Sequence, residues 1–357
     1  MMISRLARFL GCLLFTLPPL TAQAQQLEEV VVTAQKRSES LQDVAISIAV
    51  VGGAELAALN KTQIADLSRL VPGFTFAEST SDAGRNILIR GIGTNSFSRS
   101  VDLSVGTVVD NVASGSLSGS VLDFSDVERV EVLRGPQGML FGKNASAGLL
   151  NITTYNPTPE LATGFRTAYG SDNLVNLFGY VSGPLVEDTL LGRISMYRNS
   201  SDPIIENEYP GGDDFNDRDE WGGRGKLRWL VTEELDAQLA YTHVKRDHTC
   251  CVAALRQVAA GSVVDREGGA VGPKNDKVLD NDTSVGDTKV DIYSLEVNYS
   301  LGDFLLTSIS AYTNENVYGA ARADTYTRTA LPLNDSFEKY DQYTQELRLT
   351  SPAEGTI

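Results

Sequence analysis

The feature that most restricts this chain is a period-two alternation of side chains that recurs from residue 162 to residue 350. In Asp291–Leu301, Tyr293, Leu295, Val297, Tyr299 and Leu301 alternate with Ile292, Ser294, Glu296, Asn298 and Ser300. Leu235, Ala237, Leu239 and Tyr241 alternate in the same way with Asp236, Gln238, Ala240 and Thr242. Residues two apart share a face of a β-strand, so each run has an apolar face and a face of charges and amides. Strands are expected near 162–170, 174–184, 189–199, 220–231, 235–247, 288–301, 304–316 and 338–350. A soluble sandwich also alternates, but its strands run nearer five or six residues, whereas about ten residues suit a tilted bilayer crossing. The connections at 185–188, 232–234 and 302–303 are short; those at 200–219, 248–287 and 317–337 are long and polar. Short and long loops in alternation put the short turns on one side, the arrangement of an outer-membrane barrel. Ser171-Asp172-Asn173, short on the side of the long loops, departs from it.

A barrel of that kind has to leave the cytoplasm, and the first residues supply a route. Arg5 and Arg8 precede the apolar run Phe9–Leu20, which is shorter than the ~18 residues of a spanning helix, and Ala22-Gln23-Ala24 follows. That is the make-up of a signal peptide cut after Ala24; an uncleaved anchor is the alternative that Gln25-Gln26 disfavours. Cleavage removes two arginines and no acid, moving the formal charge from −16 to −18. So acidic a chain would repel phosphates, which argues against a nucleic-acid partner. Cys12 leaves with the signal, and the adjacent Cys250 and Cys251 cannot staple distant segments.

Between the signal and the alternating strands the texture changes twice. Residues 25–43 are polar and extended around one β-branched cluster. Residues 44–157 mix strand-like runs (Val44–Val51, Ile87–Ile92, Gly106–Val112, Arg129–Leu133, Leu149–Tyr155) with helical spacing in Ala54–Leu59 and Ile64–Leu70, which ends at Val71-Pro72-Gly73. This is a small α+β domain. The expected organisation is signal peptide 1–24, linker 25–43, α+β domain 44–157, and about eight barrel strands in 158–357.

Glu28-Glu29-Val30-Val31-Val32-Thr33-Ala34 suits addition to another protein's sheet edge, where backbone hydrogen bonds supply affinity and alternate side chains supply specificity. An edge strand of the chain's own domain is the other reading. "EEVVVTAQKR" resembles the TonB box of the TonB-dependent outer-membrane receptors. "LQDVAISIAVVGGAEL", "IADLSRLVPGF", "ILIRGIG" and "VERVEVLRGPQGMLFGKNASAGLLNITT" are similar, in order, to the blocks of that family's plug domain. The resemblance implies a plug followed by antiparallel strands of a transmembrane barrel. It implies TonB binding through Glu29, Val30, Val31, Val32 and Thr33, and plug–barrel contacts from Arg90, Arg129, Glu131 and Arg134, against ordinary surface ion pairs as the alternative. It implies ligand contacts near the plug apex, where Arg85, Phe97 and Arg99 are candidates. Two departures stand out: Asp110-Asn111 without a neighbouring aromatic where an aspartate–glycine pair is usual, and Ala147 where a second glycine is usual.

Enzyme motifs fail on inspection. "GPQGMLFGKN" has three residues between Gly138 and Gly142 where a P-loop has four, and Asn144 replaces its Ser/Thr. A Ser-His-Asp site has only two histidines to draw on and no G-x-S-x-G elbow. Those histidines, His243 and His248, fall beside Cys250 and Cys251; the four could hold Zn²⁺ or Cu, but the spacing fits no standard site, and a vicinal disulfide or plain thiols is the blander reading. The acids between Asp202 and Glu220 lack EF-hand spacing and read as a solvated loop.

The expected function is therefore energised uptake of a scarce nutrient, a ferric siderophore first, across the outer membrane, with TonB and membrane lipid as partners, no cofactor and no enzymatic step. A non-transporting periplasmic or surface interaction protein is the rival. Eight strands close a barrel whose interior side chains fill, while plugged transporters use 22, so this chain is expected to be the N-terminal portion of a longer receptor.

Overall fold

The computed structural model describes residues 31–37, 39–77, 86–94, 101–116, 123–249, 252–262, 265–266, 271–280, 285–322 and 333–352. The expected signal peptide, Glu29 and Val30 lie outside them.

The first domain is built on a sheet with two covered faces. Its elements are β1 (Val31–Val32), β2 (Glu39–Ser40), β3 (Ile48–Gly52), α1 (Gly53–Ala58), a 3₁₀ turn at Ile64–Asp66, α2 (Leu67–Leu70), β4 (Phe74–Ala77), β5 (Asn86–Ile89), β6 (Val105–Val109), β7 (Val112–Ser114), β8 (Val127–Arg134), α3 (Gly138–Phe141) and β9 (Gly148–Thr154). The main sheet runs β3-β8-β9-β6-β7, antiparallel except for β6 beside β9. Alternation along β8 sends Val130 and Val132 to one face, where they pack with Leu56, Ile64, Leu67, Phe74 and Ile89. Leu133 faces the other way and packs with Val32, Ala34, Val108, Ala145 and Leu149.

Two departures from the sequence reading have local causes. The run 106–112 is not one strand but a hairpin, because Asp110 (φ 46°) and Asn111 (φ 66°) both take the left-handed conformation that a two-residue type I′ turn requires. The strand expected over 44–51 begins only at Ile48, where pairing with β8 begins. Gly53 lets α1 start flush against β8: a Cβ there would stand 1.9 Å from the carbonyl oxygen of Val127.

The second part is one antiparallel sheet in which sequence neighbours pair: β10 (Ala162–Tyr169), β11 (Val175–Val186), β12 (Leu190–Ser201), β14 (Arg218–Leu230), β15 (Leu235–His248), β17 (Val285–Leu301), β18 (Phe304–Arg322) and β19 (Leu333–Thr350). Two short strands of the long loops, β13 (Glu206–Asn207) and β16 (Lys277–Val278), pair in parallel beside a small apolar cluster of Phe215, Val252 and Val278. β10 and β19 do not pair with each other, so the sheet is open, consistent with an incomplete barrel. The two faces of this wall reverse the usual rule for a soluble sheet. Ile194, Met196, Trp229, Leu239, Leu295 and Leu347 are exposed on one face. Arg193, Ser195, Glu220, Arg224, Lys226 and Glu315 are buried on the other, against the first domain. On the exposed face Tyr241, Tyr293, Tyr312 and Tyr343 stand in register across β15, β17, β18 and β19, with ring centroids 4.7, 6.3 and 4.7 Å apart. Aromatic residues on an apolar outer face are what a barrel presents to lipid.

That polarity predicts an asymmetric tolerance of charge. Leu239→Arg, on the outward face, is expected to weaken folding into lipid vesicles by about 2–4 kcal/mol, while Gln238→Arg, on the inner face, leaves it within about 1 kcal/mol. Urea titration of vesicle-folded protein reads both.

Candidate functional site

All eight wall strands reach the first domain or the segment that follows it, and most do so through polar groups. Asp126, just before β8, accepts from Arg193 of β12 (2.5 Å) and from Ser195 Oγ (2.7 Å), and the Arg193 guanidinium lies between the rings of Tyr180 (4.1 Å) and Tyr155 (5.2 Å). Asp110, at the tip of the β6–β7 hairpin, accepts from the backbone N–H (2.8 Å) and hydroxyl (2.6 Å) of Thr154 and pairs with buried Lys226 of β14 at 3.1 Å. Lys226 also donates to the Thr154 carbonyl and to Asn156. Arg166 of β10 and Asn176 of β11 bond to Ser125 and Asn60; Glu296 of β17, Glu315 of β18 and Gln342 of β19 bond to Asn111, Ser116 and the Ala113–Gly115 backbone. From β15, Val244 packs into the domain core.

Two carboxyls at this interface titrate away from their ordinary range. Burial pushes Asp123 up to about 6, the negative charge of Glu220 adds to the rise, and the hydrogen bonds from Ser125 and the charge of Arg218 only partly offset it. Burial would also raise Asp110, but Lys226 and Arg224 together with Thr154 outweigh it and hold that carboxyl below its usual value.

The N-terminal segment is docked on the opposite side of the sheet. Val31–Val32 pair antiparallel with Glu39–Ser40, and Val32 and Ala34 are fully buried. The Thr33 N–H donates to Glu131 Oε1 at 2.8 Å. Glu131 is itself fully buried and also accepts from Arg129 Nε (2.9 Å) and Asn151 Nδ2 (2.9 Å), while Arg129 and Asn151 each donate to the Thr33 hydroxyl. A turn follows, in which Lys36 N–H donates to the Thr33 carbonyl. Lys36 pairs with Glu346 of β19 and lies 5.1 Å above the Phe141 ring, and Arg37 donates to Ser351.

This redistributes the roles expected from sequence. Arg129 and Glu131 serve the docked segment; their contacts among the described residues stay inside the first domain. Arg90 and Arg134 donate to Ser47, and Arg134 to the Pro72 carbonyl, so neither reaches the wall among the described residues. The acids that do reach it are Asp110, which stood out in the sequence only as a departure at the hairpin, and Asp123 and Asp126, which belong to no motif. Their signal was indirect: charges on the inward face of the strands, Arg193 and Lys226 among them, require partners of opposite sign.

Arg85, Phe97, Arg99, Cys250 and Cys251 lie outside the described residues. His243 and His248 are five apart on β15 and so face opposite sides of the sheet. His243 Nδ1 lies 2.7 Å from Asp291 and its ring 4.8 Å from Trp221, on the outer face; no cluster of three metal-binding side chains occurs among the described residues.

Residues 40–149 match the family model of the TonB-dependent receptor plug domain. The chain is 34% identical over 216 residues to the pesticin receptor of Yersinia pestis and 28% identical over 215 residues to the vitamin B12 transporter BtuB of Vibrio vulnificus. These alignments cover 58% and 59% of this chain and 31% and 34% of the relatives. The ferric yersiniabactin uptake receptor FyuA of Yersinia pestis superposes with a TM-score of 0.74 at 23% identity, over 87% of this chain and 46% of that one. The siderophore receptor PiuA of Acinetobacter baumannii gives 0.69 at 15% identity, over 91% and 45%. The chain thus spans about a third of the length of the curated relatives it matches.

The Asp126–Arg193 pair is deeply buried, which sets the cost of breaking it. Arg193→Ala, which leaves a buried carboxylate unpaired, is expected to destabilise the chain by about 3–5 kcal/mol, and Arg193→Met combined with Asp126→Leu to recover most of that loss. Chemical denaturation in detergent micelles compares the two.

Proposed function

Because residues 40–149 are a TonB-dependent receptor plug domain, set against strands of an outer-membrane barrel wall, we propose that this chain serves energised uptake of a scarce nutrient, a ferric siderophore first. The observation that carries the proposal is the docked state of Val31–Thr33. The segment is held in a defined place by few enough contacts that a partner strand could take it.

The magnitudes support a poised segment. Burying Val32 and Ala34 contributes about 2–3 kcal/mol, and the hydrogen bond to the Glu131 carboxylate about 1.5–3. Fixing four backbone residues costs about 1–2 kcal/mol each. The sums are close, so docking is marginal, and the ties of Lys36 to Glu346 and of Arg37 to Ser351 help tip it towards the closed state. In the proposed cycle ligand binds on the outer side, with Arg85, Phe97 and Arg99 as candidate contacts. The segment leaves Glu131, and TonB adds a strand along Glu29–Thr33. Pull on that strand acts beside β3, whose Ile48 and Val50 pack against the cluster of Val32 and Ala34 and which pairs, among the described residues, only with β8. No covalent bond is made or broken. The siderophore assignment rests on the relatives, among which are a ferric yersiniabactin receptor and a vitamin B12 transporter.

Two measurements test this. Val32→Pro in the full chain is expected to abolish capture of a purified TonB periplasmic domain, and Glu131→Ala to strengthen it about tenfold by freeing the segment. Equal binding by wild type and the proline variant would remove the partner assignment. A strain deleted for the gene is expected to lose growth on ferric siderophores as iron source and to keep cobalamin-dependent growth; the reverse pattern would remove the siderophore.

A further inference from the structure

The contact between Asp123 and the barrel wall has a chemistry that neither the docked segment nor the ion pairs above require. Asp123 sits at the wall end of the plug, four residues ahead of β8, and is buried. Its Oδ1 accepts the Ser125 N–H at 2.7 Å, and its Oδ2 accepts from Asn199 Nδ2 of β12 at 2.8 Å. Asn199 is fully buried, and its Oδ1 has no hydrogen-bond partner among the described residues. From β14, Glu220 brings a second buried carboxylate to the same place. It accepts from Tyr197 (3.0 Å) and from Arg246 of β15 (3.0 Å), and Arg218 stands 3.8 Å away. Nearby are Asp126, Arg193 and Arg224, of which Asp126 and Arg193 are already committed to each other. Of the two guanidiniums beside Glu220, Arg246 donates to it at 3.0 Å, and Arg218, whose charge only partly offsets the rise at Asp123, is shared between Thr62 at 3.4 Å and Glu220 at 3.8 Å. Asp123 is thus a buried acid beside a like charge, with an acceptor close by that lacks a donor.

We propose that the Asp123 junction is a proton-sensitive anchor, in which a proton on Asp123 fastens the plug to the wall and its loss loosens the entry to β8. Protonation removes the opposition of Glu220 and adds a donor to a pocket that is short of one. The sign follows from the titration described above. Asp123 is raised in the folded chain to about 6, so the anchor is strongest below the unfolded value, near 4. It weakens as pH climbs through the folded one and is fully weakened above it. The consequence reaches the docked segment along a single strand. Asp123 and Asp126 lead into β8, and Arg129 and Glu131 of that strand hold Thr33, about 16 Å beyond Asp126 at the usual rise per residue.

Hydrogen-exchange mass spectrometry on the full chain in detergent micelles tests this, following peptides that span residues 123–134 with exchange corrected for the intrinsic rate. Linkage between an open-state value near 4 and a closed-state value near 6 makes opening about tenfold more frequent at about pH 7.5 than at about pH 5. Asp123→Asn, which is neutral and isosteric, is expected to give low, pH-independent opening. Glu220→Gln, which removes the like charge and leaves Asp123 in place, is expected to shrink the change to about threefold or less. Equal opening of the wild type at the two pH values overturns the proposal. So does a wild-type pH dependence that survives in Asp123→Asn, or one undiminished in Glu220→Gln.

Discussion

A sheet that gives its apolar face to lipid has only its polar face left for whatever it encloses, and everything inside this molecule follows from that. In a soluble protein the plug would be held by burying hydrophobic surface. Here the wall offers Arg193, Glu220, Arg224, Lys226, Glu296 and Glu315, so the plug answers with Asp110, Asp123, Asp126 and the amides of its hairpin. Buried ion pairs contribute little net stability compared with apolar packing of the same volume, because desolvation offsets the attraction. They are specific in position, however, and an interface of hydrogen bonds and ion pairs can come apart without exposing a large apolar surface to water. The proposed uptake cycle asks the plug both to stay seated and to move, and that kind of contact serves both.

The plug sheet spends its two faces differently. One face is closed by α1, α2 and the β4–β5 hairpin around Val130, Val132, Leu150 and Ile152. The other is covered partly by the N-terminal segment, Val32 and Ala34 lying on Val108, Leu133 and Leu149. β8 joins the two arrangements because alternation gives it an apolar side and a side carrying Glu131. One strand therefore touches the core, the wall through the residues leading into it, and the docked segment. Few residues lie between a disturbance at the wall and the groups that hold Thr33.

Much of this was legible in the residues and some of it was not. Alternation located the eight wall strands closely, since period two over ten or more residues leaves little choice of conformation; β18 and β19 run further than expected, into 317–322 and 333–337, which the sequence reading gave to a long connection. The glycine- and charge-rich block from Val127 to Thr154 indicated two paired strands with a turn region between them, and β8 and β9 are those strands. The partners of its charges were beyond reach. Arg90, Arg129, Glu131 and Arg134 looked suited to a barrel wall, yet they bond to Ser47, Pro72 and Thr33, because the twist and cover of the plug turn that face towards its own N-terminal segments.

What the sequence determined by itself was local: which residues alternate, where turns break the strands, which face of each strand can meet lipid, and that a β-branched segment precedes the plug. Those properties depend on near neighbours along the chain. What only the tertiary structure decided was pairing between residues far apart, such as Asp126 with Arg193, Lys226 with Asp110, and Thr33 with Glu131 across 98 residues. An alternating strand specifies that a charge points inward. It does not specify which charge of the enclosed domain will meet it, because that depends on how one folded body is seated in another.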